Sequence, residues 1–153
     1  KYLEKQDYIK NVTHPALESH PQYELAKKQM KYIPGVFCVD FTSVELAEKF
    51  IENTKIFGEK CSFGSPDSRV EIPAKISHAS FSKEELAAIG ISDSTVRFSI
   101  GLESVEDLIK DIEQTDAQED ARRAMIREQN IAAGNQPAGE VTDRLPKPGS
   151  LDI

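Results

Sequence analysis

The chain has 153 residues, 39% hydrophobic and 29% charged, which suits one globular domain with a single core. A net charge of −7 opposes a nucleic-acid or anionic-membrane partner. No apolar run approaches the roughly 18–20 residues that cross a bilayer.

The sequence opens at Lys1 without an initiator Met or a signal-peptide pattern, so it is expected to belong to a longer product. Lys1 to about Asp7 read as the tail of a helix, and a short strand around Tyr8–Val12 follows. Pro15 marks a loop. Ser19 and Pro21 are then placed to open a helix that runs to about Met30, with Tyr23, Ala26 and Met30 at helical spacing. Pro34-Gly35 ends that segment. Val36–Phe41 alternates as a strand, with Phe37, Val39 and Phe41 on one face and Asp40 on the other.

Ser43 is positioned to cap a helix to about Asn53, whose Val44, Ala47 and Ile51 recur on one side. Cys61–Pro66 reads as a loop and Ser68–Ile72 as a short strand. Ser82 and Glu85 form a capping box for a short helix that Gly90 closes. Thr95–Ile100 is another strand, and Ser104 caps an amphipathic helix carrying Val105, Leu108, Ile109 and Ile112. From Thr115 a short helix and then a Pro/Gly-rich tail are expected.

This order implies an α/β (α+β) two-layer sandwich, a small mostly antiparallel sheet with helices on one face. One folded domain is expected over 1–114, with 115–153 as a C-terminal extension.

Cys38 and Cys61 make neither a disulfide framework nor a CxxC pair, so a cytoplasmic setting with reduced thiols is expected. His14, His20 and His78 lack ligand spacing, so no metal site is expected. Thr95-Val96-Arg97-Phe98-Ser99-Ile100 carries the most information. Val96, Phe98 and Ile100 share the core face of the strand, and Arg97 projects from the other. A planar, permanently charged guanidinium there can grip a carboxylate through two hydrogen bonds. It can also be a solvated Arg paired with a nearby acid, which is the plainer reading of the pattern. A Ser-His-Asp arrangement from Ser62 or Ser80, His78 and Asp93 can be written, but no G-x-S-x-G elbow supports it.

Several segments in order resemble one family. Ser19-His20-Pro21-Gln22-Tyr23-Glu24-Leu25-Ala26-Lys27-Lys28-Gln29-Met30 is similar to an S-H-P-x-H-x-L-A-x-x-Q-M stretch. Ser62-Phe63-Gly64, followed at the family distance by Pro73, resembles an S-[LF]-G turn. Ser77-His78-Ala79-Ser80 resembles [TS]-H-[AS]-S. Gly90-Ile91-Ser92-Asp93 leading into Val96-Arg97-Phe98-Ser99-Ile100-Gly101-Leu102-Glu103 resembles G-I-[ST]-x-x-L-[IV]-R-[LF]-S-[VI]-G-[IL]-E. Together these resemble the C-terminal domain of the trans-sulfuration (Cys/Met metabolism) enzymes that use pyridoxal phosphate: the cystathionine lyases and synthases, methionine γ-lyase and the O-acylhomoserine sulfhydrylases. The similarity spans about residues 1–114. His14-Pro15-Ala16-Leu17 departs from the usual tyrosine-proline-glycine-leucine loop, and Pro34-Gly35 stands where the family has a glycine pair.

The resemblance implies that Arg97 and Ser62 hold the α-carboxylate of a small amino-acid substrate. It implies elimination or replacement at Cβ or Cγ of sulfur amino acids or activated homoserine. The S-x-T-K-Y segment with the Schiff-base lysine is not in this sequence, so pyridoxal phosphate would be held by a separate large domain or chain. These 153 residues alone would then supply no catalytic and no cofactor-binding residue, and would be inactive. A homotetramer is implied for the whole enzyme. The rival expectation is a catalytically inactive stand-alone module of the same fold that binds protein.

Overall fold

The computed structural model describes residues 1–115. The short helix and tail expected after Thr115 lie outside the described residues. A single 3-10 turn at Leu3–Lys5 replaces the expected helical tail. The strands follow as β1 (Ile9–Thr13), β2 (Val36–Phe41), β3 (Gly58–Glu59), β4 (Arg69–Glu71) and β5 (Thr95–Ser99). The helices are α1 (Tyr23–Gln29), α2 (Val44–Asn53), α3 (Lys83–Ala88) and α4, which occupies 105–115.

The sheet runs β1-β2-β5-β4-β3. Its β1–β2, β2–β5 and β4–β5 pairings are antiparallel, and β3 runs parallel to β4. The expected α/β sandwich with a mostly antiparallel sheet is thus the observed fold, with a parallel edge strand that the sequence pattern did not assign. Two residues carry no usable alternation, which is why β3 escapes the pattern.

β2 and β5 form the centre. Val39, Phe41, Val96 and Phe98 are buried on one face. Phe37 stacks on Phe98 with ring centroids 5.0 Å apart, and Phe57 meets the same ring edge-on at 5.5 Å. Ala47, Phe50 and Ile51 of α2 and Leu108 and Ile112 of α4 complete this core. Each large side chain buried there contributes about 1.5–3 kcal/mol.

The helix ends show how local chemistry sets these elements. The Ser43 hydroxyl accepts the Leu46 N–H at 3.2 Å, as an N-cap should. Ser82 and Glu85 make both bonds of the capping box. Gly90 closes α3 at φ +77°, a conformation that L side chains resist. Ser104 accepts the Asp107 N–H at 3.2 Å and so starts α4. Ser19 does not cap α1, however. Its hydroxyl donates to Glu4, and the helix begins later, with Gln22 at its cap and no side-chain bond there. α1 buries none of its residues within the described part, although its sequence is periodic.

The loops that depart from the family pattern are tied by His14. Its Nδ1 accepts the Ala16 N–H at 3.0 Å, so its Nε2–H donates to the Pro34 carbonyl, also at 3.0 Å. One imidazole therefore joins the 14–17 loop to the Pro34-Gly35 turn.

Candidate functional site

β5 sends Val96 and Phe98 into the core and Arg97 to the opposite face. In register, Arg97 lies between Cys38 of β2 and Glu71 of β4. The face is not a solvated one. The Arg97 side chain is 16% exposed, Glu71 is 1% exposed, and the flanking Thr95 and Ser99 are buried. Arg97 Nη2 lies 2.9 Å from Glu71 Oε1, and the two charges form an ion pair. The Arg is thus paired with an acid, as the plain reading allowed, but within a covered site rather than in water.

The Ser62-Phe63-Gly64 turn covers this arginine. The Phe63 ring centre lies 5.4 Å from Arg97 Cζ, within reach of a cation–π interaction. The Gly64 N–H donates to Ser99 Oγ at 3.2 Å, which anchors the turn to the end of β5. Gly64 adopts φ +72°, and this left-handed residue is what lets the chain double back. Ser62 is half-buried within the turn, its N–H bonded to the Lys60 carbonyl at 2.9 Å. Sequence spacing of more than thirty residues separates Ser62 from Arg97, and the fold brings their segments together.

Beyond the turn, Arg69 grips Asp67 through Nε and Nη2 at 3.0 and 3.1 Å. With Ser65, it holds the Asp67 carboxyl well below the usual carboxylate range. Glu103 fastens the next residue, accepting the Ser68 N–H at 2.8 Å and the Ser68 hydroxyl at 2.7 Å. The Ser68 backbone N–H, and after it the hydroxyl, hold Glu103 below its ordinary value. Gly101 is needed where the two segments meet, because a Cβ there would lie 2.3 Å from the Pro66 carbonyl oxygen.

Two further groups share the Arg97 face. Burial pushes the Cys38 thiol up, with Arg97 pulling the other way and Asp40 and Glu71 adding to the rise. Behind Glu71, the Ser77 hydroxyl donates to Oε1 at 2.6 Å and lies 2.9 Å from His78 Nδ1. His78 therefore meets Ser77, not Ser62 or Ser80, and Asp93 pairs with Lys83 at 3.5 Å. No Ser-His-Asp constellation is assembled from the expected residues. The order His–Ser–Glu found here also differs from the acid–His–Ser order that activates a nucleophile.

Sequence reading missed Glu71 and Ser77. The available signal was an acid on the opposite side of a short strand from the apolar Val70 and Ile72. Only the β4–β5 register identifies its partner.

Arg97 offers a planar cation beside an aromatic ring, chemistry that can meet a small carboxylate. It does not suit pyridoxal phosphate, whose anchoring aldehyde needs an enclosed lysine. Among the described residues every lysine is exposed except Lys49, which is half-buried on α2. No helix of the described residues is long and apolar enough to cross a membrane.

Residues 1–116 match the model of a family described as Cys/Met metabolism PLP-dependent enzyme. The chain is 43% identical over 115 residues to cystathionine gamma-lyase of Dictyostelium discoideum, covering 74% of this chain and 30% of that protein. It is 39% identical over 114 residues to cystathionine beta-lyase of Lactococcus lactis, again covering 74% of this chain and 30% of the relative. A solved structure assigned to an O-acetylhomoserine (thiol)-lyase of Campylobacter jejuni superposes with a TM-score of 0.71 at 33% identity, over 74% of this chain and 28% of that one. That structure contains an N'-pyridoxyl-lysine-5'-monophosphate group. The chain thus spans about 30% of the length of the relatives it matches. Nothing in these likenesses supports a stand-alone interaction module. With the matched segment taking in the whole described fold, this chain belongs to the Cys/Met metabolism family of pyridoxal-phosphate-dependent enzymes.

Proposed function

We propose that residues 1–114 form the substrate-gripping C-terminal domain of a complete trans-sulfuration-type enzyme, with 115–153 as an extension. Arg97 and Ser62 hold the α-carboxylate of an amino-acid substrate. The enzyme eliminates or replaces a group at Cβ or Cγ of a sulfur amino acid or an activated homoserine. The observation that carries this reading is the covered guanidinium of Arg97, fixed between Glu71 and Phe63 beneath the turn that bears Ser62. The named relatives, a cystathionine gamma-lyase and a cystathionine beta-lyase, support the reaction class.

A guanidinium has five N–H donors, so one bond to Glu71 does not exhaust it. Its remaining edge can meet both oxygens of a carboxylate, and a serine hydroxyl can add a third donor. The grip fixes the substrate's Cα, so the bond to be broken there is held in one orientation. The Phe63 ring adds a cation–π contact to the guanidinium at 5.4 Å. Pyridoxal phosphate, when held by the large domain, would supply an electron sink for the reaction. A cytoplasmic homotetramer that includes that large domain completes the proposal.

The test is Arg97→Ala in the complete enzyme. Loss of a charge-paired carboxylate contact should raise KM about 100-fold or more. An unchanged KM on an amino-acid substrate would overturn the assignment.

A further inference from the structure

We infer that Glu71, backed by Ser77 and His78, is the positioning residue that sets the Arg97 guanidinium for its ligand. The inference rests on the carboxylate-binding reading of Arg97 and adds a residue outside that grip. β4 places Glu71 opposite Arg97 in register, and the sheet buries its carboxylate to 1% exposure.

All the donors converge on one oxygen. Oε1 is ion-paired with Arg97 Nη2 at 2.9 Å and accepts the Ser77 hydroxyl at 2.6 Å. Oε2 is buried and finds no partner among the described residues. A pair built only for stability would use both oxygens against both nitrogens of the fork, the stronger and more specific arrangement. Here the contact is one-sided, and the second edge of the guanidinium is left for something else. Ser77 helps keep the carboxylate from turning, since its hydroxyl holds Oε1.

The hydroxyl has one proton, and it goes to Glu71. Toward His78 Nδ1, at 2.9 Å, Ser77 can therefore only accept, so the imidazole donates from Nδ1. The chain of donors runs His78 to Ser77 to Glu71, where Arg97 meets it. His78 is itself fixed, its backbone N–H bonded to the Pro73 carbonyl at 2.8 Å and its ring 5.2 Å from that of Phe81. Replacing a buried ion pair with apolar groups is often neutral for stability, so stability alone does not call for this arrangement. Aiming Arg97 does.

The experiment uses the complete holoenzyme carrying Glu71→Ala, Glu71→Gln, Ser77→Ala or Arg97→Ala. Two quantities are read: KM against kcat, and the inhibition ratio between an amino acid and its α-carboxamide. Glu71→Ala should raise KM about 10-fold with kcat within about 3-fold, and should lower the acid-over-amide preference. Glu71→Gln keeps an oxygen to accept from Arg97 and Ser77, so it should restore KM to within about 3-fold of wild type. Ser77→Ala should raise KM about 3-fold, and it carries the test if Glu71→Ala does not fold. If Arg97→Ala abolishes the acid preference while Glu71→Ala leaves KM and that preference as in wild type, the positioning role is overturned and the carboxylate reading stands. If Arg97→Ala itself keeps the preference, the carboxylate reading is what fails.

Discussion

Asp111 of α4 provides a severe test of how the site is held up. Its carboxylate accepts the N–H groups of Lys55 (2.9 Å), Ile56 (2.8 Å) and Phe57 (3.2 Å), and also the Gln114 side chain at 3.2 Å. Asp111 is 4% exposed. These bonds turn the chain after α2 into β3, which leads to the Ser62 turn. Asp111→Ala would leave three backbone donors without their acceptor. Hydrogen bonds to a charged group are worth about 1.5–3 kcal/mol each. Lys55 and Ile56 are exposed, so water can replace two of them, but Phe57 is buried at 3%. The net loss should be about 2–4 kcal/mol, a large share of the roughly 5–15 kcal/mol typical of a domain. Urea denaturation measures it directly, and Asp111→Asn, which keeps one acceptor oxygen, should lose about half as much. A loss below about 0.5 kcal/mol for Asp111→Ala would refute the reasoning.

Glu103 sets a pH dependence. Its folded value lies below its ordinary value of 4.5, so its contribution is present above that value and is lost as pH falls through the folded one. Melting temperatures measured from pH 6 down to pH 3 should therefore fall more steeply for wild type than for Glu103→Gln, and parallel curves would rule this out. Gly101→Ala should displace the 66–68 segment, because its Cβ would meet the Pro66 carbonyl; a variant with unchanged stability and unchanged KM in the complete enzyme would contradict the close approach. Cys61 is exposed and Cys38 is half-buried with its thiol pushed up. A thiol-disulfide reagent at pH 7 should titrate one cysteine quickly and the other only on unfolding, and equal rates for both would refute that difference.

The central elements were legible because their signals are local. β2 alternates across six residues, and α2 and α3 begin at Ser43 and Ser82, which cap through contacts three residues away. Ser19 had the same composition cue but turned to Glu4, a contact no local pattern foretells. α1 shows periodic apolar residues that the described fold leaves partly exposed, since amphipathic spacing says that a face exists and not what covers it. Arg97 was legible as a residue on the outer face of β5, and the family resemblance gave it a task. Its environment was not legible, because Glu71 and Phe63 reach it through sheet register and a left-handed turn. The Ser77–His78 contact likewise depends on a turn after β4 that brings His78 back to Pro73.

The most direct test is a crystal structure of the complete enzyme with a non-reacting substrate analogue bound. The α-carboxylate should lie within hydrogen-bond distance of the Arg97 guanidinium, about 2.7–3.2 Å, with the Ser62 turn closed beside it. A carboxylate bound elsewhere, with Arg97 still engaged only by Glu71, would contradict the role assigned to this arginine.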